Sequence, residues 1–261
     1  MKLVFSKYHG TGNDFIMVDI RNRAIREDAD IIAYLCHRRF GIGADGLILL
    51  DSSADHDFSM RYFNSDGHES TMCGNGGRCT TAFARQLGII ETEASFEAID
   101  GLHHAKILKD EKHLTDVRLH MKDVEATSWN EDEIFLDTGS PHLVKLCSNL
   151  EQLDVNAHGR RIRNEGRFSP GGVNVNFIEE KDGSLHIRTY ERGVEEETLS
   201  CGTGVTAAAL AWAIRQHILG PIHLITMGGD LTVHFNKKED FFTEIFLEGA
   251  ASYVYSGEIE I

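Results

Sequence analysis

The feature that most restricts how this chain can fold is an internal repeat. The segments "TMCGNGGRC" (71–79) and "LSCGTGVTA" (199–207) each set Cys-Gly-x-Gly ahead of a helix-like run, and their cysteines, Cys73 and Cys201, stand 128 positions apart in 261 residues. At that offset "YFNSDGHESTMCGNG" (62–76) lies over "YERGVEEETLSCGTG" (190–204) without a gap, pairing Tyr62 with Tyr190 and Glu69 with Glu197. Upstream, "RFGIGADGLILL" from Arg39 lies over "RFSPGGVNVNFI" from Arg167. A lone Arg-Phe match is weak, but several matches at one constant offset indicate a duplicated α/β unit. Only three prolines occur and no Gly/Ser-rich or Ser/Pro-rich linker appears, so the halves are expected to be tightly joined.

Strand-like segments dominate, among them "KLVFSKY", "GLILLD", "DFSMRYF", "VNVNFIEE", "LHIRTYE" and "LTVHF". Three segments read as helices: "DADIIAYLCHRR", with apolar residues at helical spacing, and the two runs that follow the repeated cysteines, "GGRCTTAFARQLG" and "GVTAAALAWAIRQH". From Val205 to Ile214 the last of these has Thr206 as its one polar side chain. A helix apolar on every side is buried on every side. In a strand-rich chain this points to a helix wrapped by a curved sheet.

Composition narrows the classes of function. A formal charge of −15 argues against nucleic-acid or anionic-membrane partners, which select clustered Lys and Arg. No run approaches the roughly 20 apolar residues needed to span a bilayer, and Lys7 and His9 interrupt the first apolar stretch, so no signal peptide is expected. Five cysteines, an odd count without a C-x-x-C pair, disfavour a disulfide framework or zinc site and suit a reducing cytoplasm. Fourteen histidines include no HExxH, and no metal site or cofactor is expected. "GIGADG" (41–46) matches G-x-G-x-x-G, but a strand follows it where a dinucleotide site needs a helix, so these glycines read as a turn.

Cys36, Cys79 and Cys147 read as small buried hydrophobes. Cys73 and Cys201 differ, because each stands at the expected N-terminus of a helix, where unpaired N–H groups and the helix dipole favour an anion. That environment lowers a thiol's pKa and also offers a carboxylate a seat. Two such loops flanking one carbon suit the inversion of a stereocentre: one thiolate removes the α-proton, and the opposite thiol supplies another. Asn13, Asn64 and Asn174 sit at strand ends or in turns, where turn chemistry alone could account for them. Glu191 and Arg192 read either as a solvated pair or as site residues, Arg192 standing at the repeat position of Asn64. His142 in "TGSPHLV" is structural or functional on the same footing.

Taken together, "HGTGNDF", "FNSDGHES.MCGNGGRC", "VNVNF" and "YERGVEEETLSCGTG" resemble the diaminopimelate epimerases, over nearly the whole chain. The resemblance implies an α/β (α+β) fold of two pseudo-symmetric domains, each a curved, mostly antiparallel sheet around a central helix, with the active site in the cleft between them. The expected bounds are 1–122, completed by the last strand 250–261, and 123–249. It implies cofactor-independent interconversion of LL- and meso-diaminopimelate in lysine and peptidoglycan precursor synthesis, with Cys73 and Cys201 as the acid–base pair. It further implies substrate contacts from Asn13, Asn64, Asn174, Glu191 and Arg192, a carboxylate held by the backbone of Gly74, Asn75, Gly202 and Thr203, tuning by His142 and Glu191, and a homodimer. Two departures from the family's pattern stand out: Gly46 where many members have Gln, and Ser140 where they have Asn. Proline racemases share the two-base fold and are the alternative reading; an Arg beside an acid in "YERG" suits a second amino-acid end that proline lacks. A thiol redox or metal-binding protein is an alternative of another class.

Overall fold

The computed structural model describes residues 2–22, 25, 27–125, 128–129 and 132–261. They divide into two compact units, Met1–Leu119 with Gly249–Ile261, and His120–Glu248. The architecture is α+β, dominated by mixed sheet.

In the first unit, strand Lys2–Gly10 pairs antiparallel with Asn13–Asp19, which runs parallel to Gly46–Asp51, itself antiparallel to Phe58–Asn64. That strand runs parallel to Glu93–Ala98, and two antiparallel steps lead through Gly101–Glu111 to Leu114–His120. The later part of the last strand, Phe241–Glu260, pairs with Leu114–His120 at Ala250↔Asp116 and with Lys2–Gly10 at Ile259↔Leu3, closing the ring. Closure pairs the first and last strands of the chain, each of which would otherwise present a bare edge. Its helix α2 (Gly74–Gln86) is buried from Gly74 to Ala84.

Strand Gly46–Asp51 is covered on both faces, which is why "GLILL" is continuously apolar where a one-sided strand would alternate. Leu47 and Leu49 pack with helix α1 (Ala29–Cys36) through Ile32 and Leu35, whereas Ile48 comes up against Gly76 of α2. Between α1 and Gly46–Asp51 the glycine motif turns back on the end of the helix, with Ile42 N and Gly43 N both donating to Leu35 O. The order is helix, turn, strand.

The second unit repeats the plan. Glu133–Asp137 pairs antiparallel with Pro141–Leu146, then parallel with Asn174–Lys181, antiparallel with Ser184–Glu191, parallel with Ile222–Thr226 and antiparallel with Gly229–Lys238. Its helices are α3 (Val155–Arg163) and α4 (Gly202–Gln216). Moved by 128 positions, the first unit's strands and helices fall on those of the second to within a few residues, and Gly74 falls on Gly202. Side chains alternate across Asn174–Lys181: Val175 and Phe177 join Val155 and Ile162 of α3 in one core. Asn174 and Asn176 lie on the other face, and Asn176 meets Gly204 of α4. The two asparagines of "VNVNF" therefore occupy a polar stripe beside the start of α4.

Candidate active site

Cys73 and Cys201 are the N-cap residues of α2 and α4, both with extended backbone (φ −101°, ψ 132° and φ −116°, ψ 113°). Neither side chain caps its own helix. Each main-chain carbonyl closes the first helical turn, on Gly77 N and Val205 N, both at 2.8 Å. Each sulfur thus stands at the positive end of a helix, beside the N–H groups of residues 74–75 and 202–203, which have no acceptor within the helix. The other cysteines are different. Burial pushes Cys36 and Cys79 up to about 12 and Cys147 up to about 11, which keeps them as thiols.

In the first unit the Cys73 thiol donates to Asn13 Oδ1 at 3.6 Å, and Asn75 Nδ2 donates to the same oxygen at 3.3 Å. Asn13 Nδ2 donates to Asp45 Oδ2 at 2.8 Å, while Asn75 Oδ1 accepts from Arg78 Nη2 at 2.9 Å. A carboxylate at one end and a guanidinium at the other fix the orientation of both amides. Asn64 ends its strand opposite Gly46. A Cβ at position 46 would lie 2.5 Å from both Phe63 O and Tyr62 Cε2, so the Tyr62 ring takes the room that a longer side chain there would need.

The second unit surrounds Cys201 with a longer network. Asn176 Nδ2 donates to the Leu143 carbonyl at 3.2 Å, and its Oδ1 accepts from Thr189 Oγ1 at 2.9 Å, which settles its orientation. The same Nδ2 faces His142 Nδ1 at 3.0 Å, so Nδ1 accepts and the neutral ring carries its proton on Nε2. Burial drives the His142 pKa down to about 3, keeping the ring neutral at physiological pH. Its Nε2–H is 2.9 Å from Thr203 Oγ1 and 3.0 Å from Ser140 Oγ. Thr203 Oγ1 is in turn 3.4 Å from both Cys201 Sγ and Ser140 Oγ, and by accepting from His142 it has its own proton to offer, to a thiolate at Cys201 among them. Asn174, paired in register with His142, donates to Ser140 Oγ at 3.2 Å and accepts from Arg192 N at 2.9 Å. Glu191 ends its strand and accepts from Thr198 Oγ1 at 3.0 Å.

The structure thus brings Asn13 and Asn75 to Cys73, and His142 and Thr203 to Cys201, with Asn174 and Arg192 linked behind them. Sequence reasoning missed Asn176, Ser140 as a partner of His142, the side-chain hydroxyl of Thr203, and Arg78. The signal for Asn176 was present in "VNVNF", where it shares a strand face with Asn174.

Gly204 tests how tightly this network is packed. A Cβ there would run into Asn176 Oδ1 and come within 3.3 Å of His142 Cε1 and Cys201 Cβ. Gly204→Ala is expected to cost about 1–3 kcal/mol in urea unfolding, as overpacking does, whereas Gly166→Ala, with nothing within 4 Å, stays near neutral. Equal midpoints for the two variants would contradict this packing.

Comparison with known proteins agrees in both halves. The family model described as diaminopimelate epimerase matches residues 5–126 and 134–254. The chain belongs to the diaminopimelate epimerase family. It is 48% identical over 256 residues to the diaminopimelate epimerase of Flavobacterium psychrophilum, covering 97% of this chain and 98% of that one. It is 44% identical to the diaminopimelate epimerase of Chlorobaculum tepidum, covering 97% and 99%. Among solved structures, a Bacillus anthracis phenazine biosynthesis protein of the PhzF family aligns with a TM-score of 0.78 at 17% identity, covering 100% of both chains. A hydroxyproline epimerase from Agrobacterium vitis aligns with a TM-score of 0.68 at 18% identity, covering 99% of this chain and 92% of that one. These structural likenesses carry the fold, which members of the diaminopimelate epimerase family thus share with other proteins. No helix among the described residues is long and apolar enough to cross a membrane.

Proposed function

We propose that this chain interconverts LL- and meso-2,6-diaminopimelate without a cofactor, using Cys73 and Cys201 as two bases of opposite protonation. The observation that carries the reading is the repeated N-cap cysteine, in a chain whose other three cysteines are held as thiols. The thiolate takes the α-proton, and the C–H electrons pass into the substrate's carboxylate, which becomes enolate-like. The amide groups at the starts of α2 and α4 would stabilise that developing charge. The other cysteine's S–H then delivers its proton to the opposite face of the carbon. Each turnover leaves the thiolate on the other cysteine.

Asn13, Asn64, Asn174, Glu191 and Arg192 are assigned to the substrate in this reading. Arg192 is assigned to the distal carboxylate, where a planar guanidinium gives paired, charge-assisted hydrogen bonds. His142 acts on Cys201 through Thr203, and Glu191 is assigned to tuning as well. The proposal includes a cytoplasmic location, which five cysteines without a C-x-x-C pair suit, and a homodimer, which sedimentation equilibrium would test.

The decisive experiment incubates the protein with LL-diaminopimelate in deuterated water and follows stereochemistry and α-deuterium together. One solvent deuteron is expected at each inverted centre. Inversion with full retention of the α-proton would refute opposite-face exchange by two bases, and turnover of L-proline with none of diaminopimelate would decide for the racemase reading.

A further inference from the structure

Arg192 opens the loop 192–195 between strands Ser184–Glu191 and Glu196–Thr198, which pair at Glu191↔Glu196. Its head group reaches Gly171 O from Nη1 at 3.5 Å, a long bond for an N–H···O pair. The main chain beneath it is held more closely. Arg192 N donates to Asn174 Oδ1 at 2.9 Å, the next N–H, of Gly193, donates to Glu195 Oε1 at 3.0 Å, and Glu195 N closes the loop on Glu191 O at 2.8 Å. The Glu195 carboxylate reaches beyond its own loop. Its Oε1 also accepts from Arg163 Nε, at the end of α3, at 2.9 Å, and its Oε2 accepts from the hydroxyl of the fully buried Tyr190 at 3.2 Å. Arg163 in turn lies against Gly172, where a Cβ would come within 2.5 Å of its Nη1 and 2.8 Å of its Cζ. Gly172 directly follows the glycine that the Arg192 head group reaches. One ion pair therefore touches both the loop that carries Arg192 and the glycine segment on which its guanidinium rests.

The backbone at Glu195 shows that the side chain matters there. Its φ of 63° lies in the left-handed region, which favours glycine. The residue at the equivalent place in the first unit is Gly67 (195 − 67 = 128), with a φ of 88°. Both halves turn the chain there through left-handed backbone, one with a glycine and the other with a glutamate. The turn by itself calls for glycine; what the glutamate adds is a carboxylate with three partners. It stands in the half whose loop carries the arginine, whereas the first unit has Asn64 at the position of Arg192.

We propose that Glu195 and Arg163 form a brace that positions Arg192, and so set how well the distal carboxylate of the substrate is held. This rests on the assignment of Arg192 to that carboxylate and deepens it. Both are positioning residues: they touch the loop, the strand before it and the glycine segment, and act on the substrate through Arg192. Because the distal end does not react, the brace governs binding and leaves the proton transfers to the cysteines.

The test is Glu195→Gly, which suits the left-handed backbone and removes the carboxylate. The pair is partly exposed, with side chains 43% and 21% accessible, so its loss should cost the fold little. KM for LL-diaminopimelate should rise about tenfold, inside the roughly 10²-fold that a 1 Å displacement can cost. Turnover at saturation should stay within about twofold, as when a contact equally strong in ground and transition states is lost. Amide hydrogen exchange at Gly193, read by NMR, should speed up as its acceptor is removed. Arg163→Lys keeps the charge but loses the planar head, so it should raise KM in the same way, and the double variant should add little; this comparison stands even if the glycine variant does not fold. If Arg192→Lys raises KM and neither brace variant does, the proposal is overturned and the assignment of Arg192 survives. If Arg192→Lys leaves KM in place, that assignment fails and takes the proposal with it. Unchanged Gly193 exchange in a folded Glu195→Gly protein would also overturn the brace. The exchange readout is independent of turnover: faster exchange in a protein that epimerises nothing would sink the proposed reaction and leave the brace intact.

Discussion

Cys73→Ala and Cys201→Ala are each expected to reduce epimerisation by about 10²–10⁴-fold while leaving the protein folded. The magnitude follows from the task, since a positioned acid or base is lost from one face of the substrate carbon and water has no equivalent place there. Folding should survive because Cys73 is only partly buried and neither thiol caps its helix, so alanine removes no structural hydrogen bond of the helix start. The two losses should not multiply. Residues that act as a unit forfeit most of the rate together, and the double variant should be little worse than either single one. Steady-state rates from both isomers, with circular dichroism as a check on folding, provide the measurement. A single variant keeping more than about a tenth of the original rate, far above the expected loss, would remove that cysteine from the proton path.

Asn176→Leu is expected to be the most destabilising single change at the site. It would leave Thr189 Oγ1, His142 Nδ1 and the Leu143 carbonyl without their present partner. Each orphaned buried group costs about 1–3 kcal/mol, so denaturant unfolding should show several kcal/mol lost. Asn176→Asp separates stability from chemistry. A carboxylate there would accept from His142 and draw the ring proton to Nδ1, leaving Nε2 as an acceptor that competes for the Thr203 hydroxyl proton. Cys201 would lose that donor, and the rate should fall by at least about tenfold. The histidine also sets an acid limit on stability. The unfolded chain takes a proton at His142 near pH 6.5, whereas the folded protein refuses it until about pH 3. Stability from this group is therefore present above about pH 6.5 and is lost as pH falls towards 3. Asn176→Asp should flatten that dependence, because its carboxylate eases the second protonation of the ring as the pH falls. Unchanged stability in Asn176→Leu, or an unchanged rate in Asn176→Asp, would show that the Asn176 bonds are incidental.

Much of this was legible in residue order because it is local or periodic. The constant offset of 128 positions already implied two copies of one unit, and the copies carry the same sequence of parallel and antiparallel pairings. The cysteines could be sorted from sequence because a helix start follows directly from Cys-Gly-x-Gly, and helix termini are short-range features. Burial of α4 was legible in a run of ten residues with one polar side chain.

What only the tertiary structure decided are the pairings between residues remote in sequence. His142 meets Asn176 because Pro141–Leu146 and Asn174–Lys181 run side by side in parallel register, a relation with no local signature. Ser140, a departure from the family's pattern in the sequence, is a partner of that same histidine. Nothing in the residue order sets Arg78 apart from the other charged residues of the chain. Packing in the first unit buries it completely, where it donates to Gly74 O and to Asn75 Oδ1. Sequence determined which atoms could do this chemistry; packing decided which of them carry a proton, because burial and hydrogen-bond partners set protonation and both arise only when distant strands meet.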